Sequence, residues 1–126
     1  MQDQLPCPFC STDEALLINS LAYVRPDKYP VTPGHMLIIP LRHDPDFTAI
    51  PFRELDAIWI LVGEAKALLD AKFHPDGYNL GVNVGEVAGQ TIAHAHLHMI
   101  PRYRGDVANP RGGVRGVLAA KQQYKP

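Results

Sequence analysis

The sequence predicts an α+β fold: a mainly antiparallel sheet with one long helix and short additional helix or turn segments. Three observations carry that reading. Only one stretch spaces its apolar residues in threes and fours over many turns. Several others are short, apolar and bounded by Gly, Pro, Asn or Asp. Helix and strands are not in strict alternation, and hairpin-like neighbours argue against a parallel sheet.

The elements follow in order. Leu16–Ile18 and Leu21–Val24 read as two short strands broken near Asn19-Ser20. Pro30-Val31-Thr32-Pro33-Gly34 is turn chemistry, with two prolines fixing φ and a glycine free to take positive φ. Met36-Leu37-Ile38-Ile39 is a continuous apolar run ended by Pro40, the mark of a central strand. The helix runs from about Phe52 to Phe73. Leu55, Ile58, Trp59, Val62, Ala65, Leu69 and Phe73 are placed on its buried side, with Trp59 in the core rather than at an interface. Pro51 suits the first turn, and His74-Pro75-Asp76-Gly77 ends the helix. Tyr78–Val84 alternates as a strand, and the loop Gly85–Thr91 leads into the most distinctive segment of the chain.

That segment is His94-Ala95-His96-Leu97-His98-Met99-Ile100-Pro101-Arg102, which holds three of the six histidines. As a strand it sets positions 94, 96 and 98 on one face, about 6–7 Å apart, and Ala95, Leu97 and Met99 on the other, towards a core. As a helix it would scatter both sets. The strand is therefore expected. Three alternating imidazoles suit a metal site, catalysis or an incidental surface, and spacing alone leaves all three open. Imidazole attacks phosphorus well when its second nitrogen donates a hydrogen bond that fixes the tautomer. A neighbouring imidazole can bind a phosphoryl oxygen or carry a proton. The preceding glycines let backbone N–H groups approach an anion, and Thr91 offers a hydroxyl to a leaving group.

With 126 residues, 46% apolar and 20% charged, the chain fits one globular domain. A net charge of −1 gives no reason to expect nucleic-acid or anionic-membrane binding. Met1-Gln2-Asp3-Gln4 has neither a basic nor an apolar leader segment, and no apolar run approaches the roughly 18–20 residues of a membrane span. A cytoplasmic protein is expected. Charge is uneven, because residues 102–126 carry six Lys/Arg against Asp106 alone. Such a tail is either a solvated terminus or a flap whose cations face a polyphosphate. Cys7-Pro8-Phe9-Cys10 comes too early for a thioredoxin-like motif and reads as half of a zinc site or as reduced structural thiols.

The run from Gly89-Gln90-Thr91 through His94, His96 and His98 to Pro101-Arg102 resembles the signature of the histidine triad (HIT) family of nucleotide hydrolases and transferases. Pro33-Gly34-His35-Met36-Leu37-Ile38-Ile39-Pro40 resembles the family's Pro-Gly-His-strand-Pro segment, and Asn83 and the Gly85–Gly89 loop fit as well. The resemblance covers about residues 7 to 105, leaving a basic, glycine-bearing tail at 106–126, and it implies a HIT-like fold with a five-stranded sheet. It implies further that His96 attacks the α-phosphorus of a bound nucleotide, with Nδ1 donating to the carbonyl of His94 and Nε2 free. A nucleotidyl-histidine forms, and water releases the nucleoside monophosphate. His98 would bond the phosphoryl oxygens, Gln90 and Thr91 would support the α-phosphate and leaving group, and Asn83 would contact ribose or phosphate. Gly89 would bring its backbone to the phosphate, and Arg102 would contact substrate polyphosphate. His35 matches the family's fourth histidine, near the triad, in a packing role or a catalytic, substrate-binding one.

Members with an early Cys-Pro-x-Cys place a structural zinc beside the triad. The resemblance then names Cys7, Cys10, His43 and His94 as its ligands. No divalent cation is required for the reaction, though Mg²⁺ can accompany a polyphosphate. The Pro101-Arg102-Tyr103-Arg104-Gly105-Asp106 continuation resembles the dinucleoside polyphosphate hydrolases, which implies cleavage of diadenosine tri- or tetraphosphates to AMP. Nucleoside 5′-phosphoramidate hydrolysis and a non-catalytic nucleotide sensor are the alternatives. A homodimer is expected from the family, with the long helix and the strand after it near the two-fold.

Overall fold

The computed structural model of the chain describes residues 6–125; Met1-Gln2-Asp3-Gln4, in which no leader segment was read, lie outside them. Five strands form one antiparallel sheet: β1 Leu17–Ile18, β2 Ala22–Pro26, β3 Met36–Pro40, β4 Gly77–Val82 and β5 Leu97–Arg102. Their order across the sheet is β1-β2-β3-β5-β4. One long helix, α1, runs Phe52–Phe73 between β3 and β4. Short 3-10 turns occupy Phe47–Ala49, Glu86–Ala88, Gly113–Val117 and Ala119–Lys121.

The α+β reading, the central strand and the helix bounds agree with the sequence pattern. Strand alternation then sorts side chains onto two faces. Ala22, Val24, Met36, Ile38, Leu97 and Met99 point to α1 and meet Ile58, Leu61, Val62, Ala65 and Leu69. Each fully buried aliphatic side chain there contributes about 1.5–3 kcal/mol relative to exposure. Tyr23, Leu37 and Ile39 point the other way and pack with Phe9 of the N-terminal segment, whose carbonyl accepts from Tyr23 Oη at 2.7 Å. Because β3 and β5 pair Met36 with Met99 and Leu37 with His98, His98 emerges on this second face.

Two expectations fail. Trp59 is 59% exposed, not core. The buried stripe runs through Ala57, Ile58, Leu61, Val62, Ala65 and Leu69, and Trp59 lies about 100° off Ile58 around the axis. The histidine strand also starts later than its alternation predicts, at Leu97. Residues 94–96 leave the ladder because Ala95 N–H donates to the carbonyl of Asp44 at 2.7 Å, in the loop after β3. That loop turns His94 inward, where it is fully buried. α1 stops at His74, whose backbone is left-handed (φ 52°, ψ 50°) and whose N–H donates to the Asp70 carbonyl. Pro75 then forbids a further turn.

Candidate active site and adjoining metal cluster

The second face of the sheet carries a cleft of about 550 Å³. Phe9, Leu37 and Ile92 give it apolar wall, Arg25, Asp27 and Lys28 line one side, and His35, His96 and His98 its floor, with Asn83, Gly89 and Thr91 at the loop side. His96 is buried and donates from Nδ1 to the carbonyl of His94 at 2.8 Å. A carbonyl oxygen only accepts, so the proton sits on Nδ1 and Nε2 keeps its lone pair. Burial holds His96 below the ordinary histidine range, against the partial support of that carbonyl and of Asp27. Its ring meets Phe9 edge-on at 5.0 Å and His98 at 5.1 Å between centroids. A neutral imidazole with a bare, oriented Nε2 beside a second imidazole is equipped to attack an electrophilic phosphorus.

His98 is partly buried. Burial first, then the neighbouring His96 and His35, push it down to about 4, with Asp27 opposing. His35, also lowered by burial, places Nε2 3.0 Å from His98 Nδ1. Asp27 Oδ2 lies 3.4 Å from His35 Nε2 and 3.8 Å from His98 Nδ1. Asp27 escaped the sequence reading, since a Pro-Asp-Lys turn after a strand carries no spacing signal toward a histidine eight or seventy-one residues away. Arg25 escaped it too. It is buried over the ring of Phe9 at 5.4 Å and paired with Glu14, and its Nε has no hydrogen-bond partner among the described residues.

The other expected site residues divide. Asn83, Gly89 and Thr91 border the cleft. Gln90 is buried and works inside its own loop: its carbonyl accepts from Gly85 N–H at 2.9 Å, and its amide donates to the carbonyls of Pro45 at 2.7 Å and Ile92 at 3.0 Å. Arg102 lies away from His96. Its guanidinium grips Asp106 at 2.8 Å twice and Asn79 at 2.7 Å, tying β5 to the turn after it. Of the two readings of the basic tail, the cationic flap draws no support from Arg111 or Arg115. Arg111 and Arg115 stack on Tyr124 at 5.1 and 4.6 Å. Val114 and Val117 of that segment instead border an apolar groove of about 390 Å³ that shares Val31, His35, Asn83 and His98 with the cleft.

Behind the nucleophile, Cys7, Cys10, His43 and His94 converge. Cys7 Sγ lies 3.5 Å and Cys10 Sγ 3.7 Å from His94 Nδ1, Cys10 Sγ lies 3.3 Å from His43 Nδ1, and the two Nδ1 atoms are 3.2 Å apart. Tetrahedral zinc with bonds of about 2.0–2.3 Å spaces its ligands about 3.3–3.8 Å apart, so the four donors fit the ion. His94 Nε2–H donates to the Pro40 carbonyl at 2.8 Å, which leaves Nδ1 for the metal and fixes the ring. Bound there, zinc would be closed to substrate and structural, and His94 would carry its rigidity one carbonyl further to His96. The loop bearing His43 is itself clamped: Arg42 makes a two-pronged contact with Glu54 in the first turn of α1, at 2.8–3.0 Å.

Known proteins resemble this chain in sequence and fold. The chain is 34% identical over 103 residues to an uncharacterized HIT-like protein of Mycoplasma genitalium, covering 77% of this chain and 73% of that one. It is 30% identical over 96 residues to a bis(5′-adenosyl)-triphosphatase of Dictyostelium discoideum, covering 76% of this chain but only 64% of that protein. A HIT family protein from Bacillus anthracis superposes with a TM-score of 0.74 at 35% identity over 79% of this chain and 75% of that one. A zinc-bound histidine triad family protein from Mycobacterium smegmatis does so with 0.73 at 28% identity, over 83% and 81%. The HIT domain itself matches residues 11–105, three quarters of the sequence with all three triad histidines inside the match, and the chain therefore belongs to the HIT family.

Proposed function

We propose that this protein hydrolyses nucleotides at the α-phosphate through a covalent intermediate on His96, with dinucleoside polyphosphates of the diadenosine tri- or tetraphosphate type as substrates. One observation carries the reading: His96 keeps Nε2 bare at the cleft floor because the His94 carbonyl holds its Nδ1 proton. The Nε2 lone pair forms the bond to the α-phosphorus as the bond to the leaving polyphosphate oxygen breaks, and that oxygen takes the electron pair. Water then adds its oxygen to the phosphorus and releases a proton to the solvent, the N–P pair returns to His96, and AMP leaves. His98 holds a phosphoryl oxygen, Thr91 and Asn83 face the nucleotide at the cleft edge, and Gly89 presents backbone to phosphate. Gln90 keeps that loop in shape, and Cys7, Cys10, His43 and His94 hold a structural zinc. The bis(5′-adenosyl)-triphosphatase relative supports the substrate class.

A second reading, hydrolysis of nucleoside 5′-phosphoramidates, draws on the groove beside His98. Its Val114 and Val117 edge suits an apolar leaving group, while Arg111 and Arg115 are engaged with Tyr124. A comparison of kcat/KM for a diadenosine polyphosphate and an adenosine phosphoramidate, with His96→Ala as blank, separates the readings. Faster turnover of the polyphosphate is the expected result. Preference for the phosphoramidate reverses the substrate assignment, and turnover of neither leaves a nucleotide-binding protein. An AMP adduct recovered on any residue but His96 overturns the nucleophile.

A further inference from the structure

Asp27, His35 and His98 bring a carboxylate and two imidazoles within 4.8 Å of one another, a donor set that by residue type suits a divalent cation. One backbone contact excludes that use. Val31 N–H donates to His35 Nδ1 at 3.0 Å, so this nitrogen is an acceptor. A neutral imidazole has a single N–H, which His35 must then carry on Nε2. A metal at Nε2 would demand an imidazolate ring or the loss of the Val31 bond. The cluster has a different logic. His35 Nε2–H lies 3.0 Å from His98 Nδ1 and donates to it, with the Asp27 carboxylate alongside at 3.4 Å. His98 Nδ1 is therefore bare, and its own proton sits on Nε2, the nitrogen left on the cleft side.

We propose that His35, locked in one tautomer by the Val31 amide, is a positioning residue that keeps His98 neutral with Nε2–H aimed at the phosphoryl group. The proposal rests on the preceding reading only in taking the cleft as a phosphate site. A doubly protonated His98 would set two N–H groups head to head across 3.0 Å, and a doubly protonated His35 would do the same against the Val31 amide. The facing groups agree: His96 and His35 disfavour charge on His98, as burial does, and Asp27 alone favours it. His98 thus holds an oxygen as a neutral donor, and the leaving group does not draw its proton from an imidazolium at this position.

The test is long-range ¹H–¹⁵N NMR of the full chain with ¹⁵N-labelled histidine, titrated from pH 8 down through the ordinary histidine range near 6.5. In the wild type, His35 and His98 should both show a bare Nδ1 and a protonated Nε2 and stay neutral through that range. In His35→Gln the side-chain amide can turn its oxygen to His98, whose titration midpoint should rise by at least about one pH unit, a tenfold easier protonation. Val31→Pro removes the amide proton while leaving the side chains of Asp27, His35 and His98 in place, at the cost of the Val31 side chain and a fixed φ, and it should raise the His35 midpoint likewise. The proposal is overturned by Nδ1–H on either ring in the wild type, by a charged His98 above the ordinary range, or by midpoints unmoved in both variants. Should His35→Gln not fold, the wild-type tautomers and Val31→Pro still decide. No substrate is needed, so a failure to turn over nucleotides bears on the reaction and not on the lock.

Discussion

At the scale of single residues, the triad histidines have three different jobs. His94 turns Nδ1 to the cysteines, His96 turns Nε2 to the cleft, and His98 is held from behind by His35. On the proposed mechanism His98 is a donor rather than the attacking group, so His98→Ala is expected to lower kcat by about 10²–10³, as the loss of one preorganised donor does. His96→Ala should cost more, with no covalent adduct detectable by mass spectrometry. Equal losses in the two variants would argue against the division of labour. Cys10→Ser tests the zinc proposed for the cluster behind them: if the ion is there, the purified variant should carry less of it than the wild type, and its Tm should fall by at least about 5 °C, since metal binding is folding free energy. Metal content and calorimetry on as-purified protein check both. The sequence made the triad and the Cys-x-x-Cys visible. It could not show Asp27 or the Val31 amide, because backbone donors have no signature and a lone Asp has no spacing.

Elements set where those residues stand, and tight approaches fix the elements. Gly34, with φ 90°, enters β3 where an added Cβ would lie 3.1 Å from Leu69 and Phe73 of α1 and 3.2 Å from Pro101 of β5. Gly34→Ala therefore meets both a left-handed backbone and a filled space, and should destabilise by at least about 1 kcal/mol in denaturant unfolding. His74 adopts the same kind of backbone without being glycine, so His74→Gly should move the other way, by about 0.5–1 kcal/mol. The Arg42–Glu54 clamp predicts a pH effect. Hydrogen bonding to Arg42 holds the Glu54 carboxyl below its ordinary value of 4.5. A depressed folded-state value means stabilisation that is present above the ordinary range and is lost as pH falls through the depressed one. In Arg42→Ala the Glu54 titration should move up towards 4.5 by carboxyl NMR, and acid unfolding should begin at higher pH.

For the whole molecule, the face of α1 turned from the sheet leaves Phe52 86% and Trp59 59% exposed, seven residues apart on one side of the helix. A contiguous apolar patch on that face would suit a partner. With β4 at the free edge of the sheet, it supports the homodimer expected of the family. Sedimentation equilibrium should give a dimer for the wild type and a monomer, or a markedly weaker dimer, for Trp59→Glu. A monomeric wild type would refute the expectation. Spacing placed Trp59 on the buried side, four residues after Leu55 and three before Val62, but one step around the helix from Ile58 separates core from surface.

Local physics in the chain alone determined most of the strands, the bounds of the long helix and a dense histidine motif, to which a family resemblance attached nucleotide chemistry. Periodicity, turn residues and a dense motif are properties of neighbouring residues, and they survive without a fold. Tertiary structure decided the rest. The loop after β3 pulled His94 out of the strand and into the cysteine cluster, although alternation had placed it beside His96 and His98. Arg102 was bound to Asp106 and Asn79, and the tail arginines to Tyr124, although their charge had suited a polyphosphate. The Val31 amide chose the tautomer of His35. In each case the deciding partner is a backbone group or a side chain brought close only by folding, and hydrogen-bond geometry at about 3 Å cannot be read from separation along a chain.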